Sequence, residues 1–280
     1  MKFTLNQYLI VFLGLLIIAL FILIKYGPKD KTPTPPPAQE TVANGKPIST
    51  EQKINPQHFY APILLYHHIA QTKIQNSYYV SPDIFQKQMN WLKENGYHVI
   101  SMDKLYEAIT NGGTLPDKPI VISFDDSLLD QYKNAYPILK KYGYPAIFFV
   151  KMNNIGNQTL SWAMIKEMSD NNMIIGSHSV NHDSMTNMDQ KTLSYELSES
   201  KRQIEKHTGK QVKYFSYPGG AYSGETIAAV KYAGYLAAVC TKHKVYQEII
   251  NNSSIYMLPR IHIDNEMPTF IDWVQGKNLK

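Results

Sequence analysis

Short apolar runs alternate with helical patterns through most of this chain, and that alternation constrains its fold more than any other feature. Residues 62–66, 97–100, 119–124, 145–150, 173–175, 212–215 and 235–239 each read as a strand. Their near-continuous apolar character fits strands buried on both faces, the condition of a parallel sheet covered by helices. Helical patterns fall between them, at 103–111, 129–142, 161–169, 189–208 and 223–233. A further helix follows Ser81-Pro82, an N-cap with proline at the first helical position; Ile84, Phe85, Met89 and Leu92 share one face and Gly96 ends it. In the longest pattern Leu193, Leu197 and Ile204 recur at helical spacing, and Glu196, Glu199, Lys201, Arg202 and Glu205 are expected on the solvated face. The fold class predicted is α/β, with the parallel sheet either open or closed into a barrel.

In both architectures chemistry gathers at the carboxyl ends of the strands. Four polar constellations occupy such positions: Tyr66-His67-His68, Asp125-Asp126, His178 with His182, and Tyr217-Pro218-Gly219-Gly220. An Asp pair alone is as readily a turn starter, and two histidines four apart are as readily a solvated turn. Together they make a metal site. A divalent ion such as Zn²⁺ takes imidazole and carboxylate ligands and keeps a position open for water. Adjacent aspartates do not easily share one ion, so one carboxylate is left to act as a general base towards water.

The remainder bounds the setting. Residues 9–24 contain no polar side chain, and Tyr8 and Tyr26 flank them. The run is longer than a signal-peptide core and is followed by no small-residue cleavage pattern, so residues 1–26 are expected to be an uncleaved, single-pass membrane anchor. Residues 27–57 read as a Pro-rich linker, with Pro33 and Pro35-Pro36-Pro37 favouring polyproline II, and 58–280 as the globular domain. Lys25, Lys29 and Lys31 after the span lean towards a cytoplasmic domain; the chemistry expected of the domain argues for an extracytoplasmic one. Six lysines and three acidic residues within 1–57 account for most of the net charge of +5. The domain itself is near neutral, which gives no argument for nucleic acid. Cys240, the single cysteine, lies in an apolar segment and reads as a buried thiol.

Ile122-Ser123-Phe124-Asp125-Asp126-Ser127, Gly176-Ser177-His178-Ser179-Val180-Asn181-His182 and Phe215-Ser216-Tyr217-Pro218-Gly219-Gly220 resemble, in order, the first three motifs of the polysaccharide deacetylase family, the NodB-homology domain of carbohydrate esterase family four. The resemblance runs from about Ala61 to Asp264, and Leu65-Tyr66-His67-His68-Ile69 is similar to the branch that includes the poly-N-acetylglucosamine deacetylases. It implies a distorted (β/α) barrel of about seven parallel strands. It also implies that Asp125 is the catalytic base, that Asp126, His178 and His182 hold one divalent metal (zinc first, with cobalt, nickel or manganese as alternatives), and that His67 is the general acid. Tyr217, Pro218 and Gly219 would then form the substrate and oxyanion wall, with the donor N–H near Gly219. Two departures stand out. Ser127 replaces a customary glycine, and Ser216 replaces a customary arginine that orients the base; Arg260 is a candidate to supply that cation from elsewhere. His262 is a rival acid, ranked behind His67 because His67 has the better motif match and follows a strand. Trp162 is a candidate to stack on a sugar or to fill core.

The expected function is therefore removal of N-acetyl groups, with release of acetate, from an N-acetylglucosamine-containing polymer of the cell envelope, peptidoglycan or poly-N-acetylglucosamine. The expected partners are that acetylated glycan and the membrane, with no nucleic acid and no obligate protein partner. An O-acetyl esterase of xylan type would use the same site, and a silent glycan-binding module would share the fold.

Overall fold

The computed structural model describes residues 61–72, 76–156, 158–241 and 255–277. The segments read as anchor and linker, 1–26 and 27–57, lie outside the described residues; among those described, no helix is long and apolar enough to cross a membrane. In chain order the strands are β1 (Ile63–Tyr66), β2 (His68–Ile69), β3 (Tyr79–Val80), β4 (His98–Val99), β5 (Pro119–Phe124), β6 (Ile147–Val150), β7 (Ile174–Ser177), β8 (Tyr214–Ser216), β9 (Ala237–Val239) and β10 (Ile261–His262). The α-helices are α1 (Pro82–Glu94), α2 (Met102–Asn111), α3 (Tyr136–Tyr142), α4 (Trp162–Asp170), α5 (Gln190–Thr208), α6 (Gly224–Tyr232) and α7 (Met267–Val274).

Seven strands form one parallel path, β10-β1-β5-β6-β7-β8-β9, with β4 also paired to β5. Its two edges approach each other. Ala238 N–H donates to Ile255 O, Leu258 N–H to Ala238 O and Cys240 N–H to Leu258 O, and the chain then runs through Arg260 into β10. All seven strands expected from the sequence are present. The two-residue strands β2, β3 and β10 and the helix α7 are additions that the apolar pattern does not announce.

Alternation along the strands sorts side chains into two cores. Ile63, Val121, Ile147, Phe149, Tyr214, Ala237, Val239 and Leu258 fill the space enclosed by the curved sheet. Leu64, Tyr66, Ile122, Phe124, Phe148, Ile175, Phe215 and Ala238 face outward into the helix layer. Gly176 sits on the inner face because a Cβ there would lie 2.5 Å from the Phe149 ring. Cys240 is buried, as expected.

The helices follow their caps. Ser81 Oγ accepts the Ile84 N–H at the start of α1, with Pro82 in the first turn. Asp189 accepts the Lys191 and Thr192 N–H groups at the start of α5, and Gly209 ends it in the left-handed region. One expectation fails on α5: Glu196 is not solvated but 1 % exposed, on the buried stripe with Leu193, Leu197 and Ser200. Its carboxylate has local donors to meet, described below, which is why burial is tolerated.

Candidate active site

The inner-face parity of each strand, continued to its carboxyl end, brings the site together. Two residues beyond Leu65 on that face is His67, beyond Ser123 is Asp125, beyond Gly176 is His178, beyond Tyr214 is Ser216, and beyond Leu258 come Arg260 and His262. Six side chains from five separate parts of the chain thus converge above the inner core. His68, of opposite parity, turns to the helix side, where its Nδ1 lies 2.6 Å from Asp130 Oδ2 and its ring stacks on Tyr79.

Asp126, His178 and His182 offer ligand atoms that all lie within 4.8 Å of one another. His178 Nδ1 donates to Ser216 O at 2.7 Å, which puts the lone pair of Nε2 towards the cluster. That Nε2 lies 3.1 Å from His182 Nε2, and His182 Nε2 lies 3.2 Å from Asp126 Oδ1. Asp126 Oδ1 is buried with no hydrogen-bond partner among the described residues. Two imidazole nitrogens and an unsatisfied carboxylate oxygen in one place fit a divalent cation at ~2.0–2.2 Å from each donor. Asp126 and His182 both have positive φ, 75° and 66°, so the loops carrying them are wound back on themselves. The His182 turn is held from below by Glu196, whose Oε2 accepts the N–H groups of Val180 and Asn181 while Oε1 accepts from the Asn181 side chain.

Asp125 borders this triad, its Oδ2 3.7 Å from His178 Nε2, but its hydrogen bonds are made elsewhere. Arg260 Nη1 donates to its Oδ1 at 2.8 Å and Nη2 to its Oδ2 at 2.6 Å, while Ser216 Oγ donates to Oδ2 at 3.1 Å. Arg260 is itself wholly buried, donates through Nε to Cys240 O, and lies over the Phe149 ring. Burial pushes the Asp125 carboxyl up, but the Arg260 guanidinium, through its charge and its hydrogen bonds, overcomes it and holds the group well below the usual carboxylate range. Asp125 is therefore ionised throughout the physiological range. Ser127, at the customary glycine position, takes the left-handed conformation with φ 57°, and its Oγ accepts the Lys151 N–H.

His67 and His262, rivals on sequence, share one wall. Their ring centroids are 5.1 Å apart, and Tyr78, 52 % exposed, packs against both at 4.7 and 4.9 Å. His67 Nδ1 is buried without a hydrogen-bond partner among the described residues. Burial lowers the His67 pKa, and the nearby Asp125 and Asp126 charges pull partly back. On the opposite wall Tyr217 and Pro218 are buried while Gly219 is exposed with φ 61°. The expectation for this wall narrows to one residue. Tyr217 N–H is already donated to Val239 O, its hydroxyl to Tyr256 O, and Pro218 has no N–H, which leaves Gly219 as the donor of the three. Trp162 is placed between helices, stacked on His207 with centroids 4.0 Å apart. Tyr78, Glu196 and Gln131 belong to the site or its frame and carry no motif that announces them. A cavity of about 820 Å³ opens at the amino ends of β6 to β8 and is lined by none of these residues.

Known proteins resemble this chain over most of its length. The polysaccharide deacetylase family profile matches residues 112–238. YxkH of Bacillus subtilis, assigned to the polysaccharide deacetylases, is 31% identical over 207 residues, covering 74% of this chain and 72% of its own. The poly-β-1,6-N-acetyl-D-glucosamine N-deacetylase of Staphylococcus aureus is 27% identical over 217 residues, covering 72% of this chain and 73% of the enzyme. Among solved structures, the Streptococcus pyogenes deacetylase PplD in complex with acetate superposes with a TM-score of 0.71 at 27% identity, over 78% of this chain and 98% of that one.

Proposed function

The chain belongs to the polysaccharide deacetylase family and is a deacetylase, and from that premise we propose that it removes N-acetyl groups from a poly-N-acetylglucosamine-type envelope polymer with the help of one divalent metal ion. The observation that carries the reading is the division of labour at the strand ends. Asp126, His178 and His182 converge as one donor set, and Asp125 stands beside them locked on Arg260. The similarity to the Staphylococcus aureus enzyme favours this polymer over peptidoglycan.

Asp126, His178 and His182 would hold the cation, zinc first by donor type. When bound there, the cation would acidify water and polarise the acetamide carbonyl. Asp125 then takes the proton of the attacking water. Its low proton affinity makes it a weak base, suited to water that is already acidified. Arg260 and Ser216 hold the carboxylate so that it cannot swing away. Gly219 N–H meets the oxyanion that develops as the new C–O bond forms. His67 hands a proton to the nitrogen as the C–N bond breaks, giving acetate and a free amine. Tyr78 and His262 wall the acid from the side.

Acetate release from β-1,6-linked N-acetylglucosamine oligomers, measured with and without chelator, tests this for the wild type, Asp125→Asn and His178→Ala. Release should need the metal and both side chains. Chelator-resistant release, or full activity in Asp125→Asn, would sink the scheme. A parallel assay on peptidoglycan and acetylated xylan ranks the substrates. For topology, the reading is a domain tethered outside the membrane by residues 1–26, because the polymer lies there. Protease added to intact cells should then cut the domain; cutting only after lysis would reverse the orientation.

A further inference from the structure

Beyond the last rung of the β1–β5 ladder, where Asp125 N–H donates to Tyr66 O, the two strand ends present carbonyls that the ladder does not serve. The side chain of Gln131 serves both. Its Nε2 donates to His67 O at 3.0 Å and to Asp125 O at 2.5 Å. Both partners are acceptors, so the amide orientation follows from them. The remaining oxygen, Oε1, is buried with no partner among the described residues, and the side chain is almost wholly buried. A buried amide with one end left unsatisfied is costly, and it persists where the other end does something the fold needs.

Gln131 opens a single π-helical turn, Gln131–Ala135, directly before α3. Such turns are rare in helices and gather at functional sites. The neighbours on this turn reach the same short segment. Asp130 Oδ2 takes His68 Nδ1, Asp130 Oδ1 accepts the Ile69 N–H at 3.0 Å, and Asn134 Nδ2 donates to Ile69 O at 2.7 Å. Four hydrogen bonds, made by Asp130, Gln131 and Asn134, therefore fasten residues 67–69 to the turn that follows the Asp125-Asp126 pair.

We infer that Gln131 is a positioning residue, which sets the distance and angle between the proton donor His67 and the base Asp125 by bridging their backbone carbonyls. The inference rests on the deacetylase reading above and on His67 as its acid. Among the described residues Gln131 makes no hydrogen bond to the side chains of Asp126, His178 or His182, so zinc affinity is a readout separate from the placement of His67 and Asp125.

The experiment compares kcat and KM on one acetylated oligosaccharide for wild type, Gln131→Met, His67→Ala and the double variant, with zinc affinity measured by competition with a chromophoric chelator. Methionine keeps the volume and removes both donations. Misplacement of a catalytic group by about 1 Å can cost about a hundredfold, so kcat in Gln131→Met should fall about tenfold to a hundredfold, with KM and zinc affinity near wild type. In the His67→Ala background the same substitution should cost much less, because the acid it positions is gone. A folded Gln131→Met with wild-type kcat, or one whose loss is undiminished in the His67→Ala background, overturns the inference. If Gln131→Met does not fold, Asn134→Ala and Asp130→Asn, which loosen the same segment from the outside, must lower kcat at unchanged zinc affinity. Wild-type kcat in both folded variants overturns it as well. Full activity in His67→Ala overturns the underlying reading, whereas an inactive His67→Ala beside a fully active Gln131→Met overturns the inference alone.

Discussion

At the scale of single residues the decisive pair is Asp125 with Arg260, two charges 135 positions apart and both removed from water. Breaking one partner of such a pair leaves the other charge buried, which commonly costs about 3–5 kcal/mol. Arg260→Met should therefore lower unfolding stability by about that much in urea titrations, and Asp125→Asn in the same background should restore part of it. The pH dependence has a definite sign. Asp125 is held ionised against its own burial by Arg260, so removing the guanidinium lets burial raise its pKa. Activity of the variant should then fall with acidification at a higher pH than in the wild type, as the base becomes protonated. An unchanged acid limb would show that Arg260 does not govern the base. Ser127 gives a second residue-scale test. A left-handed L-residue costs about 1–2 kcal/mol, here offset by the hydrogen bonds of Ser127 Oγ with the Lys151 backbone. Ser127→Ala keeps the strain and loses the bonds, so it should destabilise by about 1–3 kcal/mol; Ser127→Gly loses both and should stay within about 1 kcal/mol of wild type. The paired departures at 127 and 216 were visible as letters, but only the geometry explains them. Ser216 leaves room for the guanidinium that Arg260 brings from the opposite side.

At the scale of elements, strands were legible and their short companions were not. Apolar runs of four to six residues marked β1, β5 and β6 because burial on both faces demands them. The two-residue strands β2 and β10 hold His68 and His262, and a pair of residues carries no period. α5 shows a different failure. Residues 193, 196, 197, 200 and 204 form one stripe, so Glu196 stood on the buried side by spacing, and its charge argued otherwise. The stripe was the better guide. A carboxylate on a core stripe signals N–H donors to meet, and here the donors are the backbone of the His178–His182 turn. Glu196→Gln offers one acceptor oxygen in place of two. It should weaken zinc binding about tenfold, as outer supports of metal ligands commonly do, while leaving the Asp125–Arg260 pair intact. Competition with a chromophoric chelator reads the affinity directly; unchanged affinity would mean that the turn holds its shape without the carboxylate.

At the scale of the whole molecule, the site is assembled from strand ends spread between residue 67 and residue 262. What made it readable was position and motif: polar constellations stand directly after apolar runs, and three of them resemble family motifs, whereas the period of two that makes their side chains converge is seen only in the fold. What made Arg260 and His262 hard to place was their distance along the chain from the residues they meet, since nothing local to 258–263 points at Asp125. One consequence follows for stability. The three proposed metal donors come from the ends of β5 and β7, so a cation that binds them would bind only the folded domain. A ligand present at 100 times its Kd stabilises the state that binds it by about 2.7 kcal/mol. For a domain of roughly 200 residues, each kcal/mol moves Tm by about 2–4 °C. Saturating zinc should accordingly raise Tm by about 5–10 °C over the chelated protein. His178→Ala, lacking a donor, should lose most of that shift. Asp125→Asn, which removes the base and spares all three donors, should keep it while losing activity. If instead Asp125→Asn abolishes the zinc shift, Asp125 is itself a ligand, and the two neighbouring carboxylates do not divide their work as their separate contacts indicate.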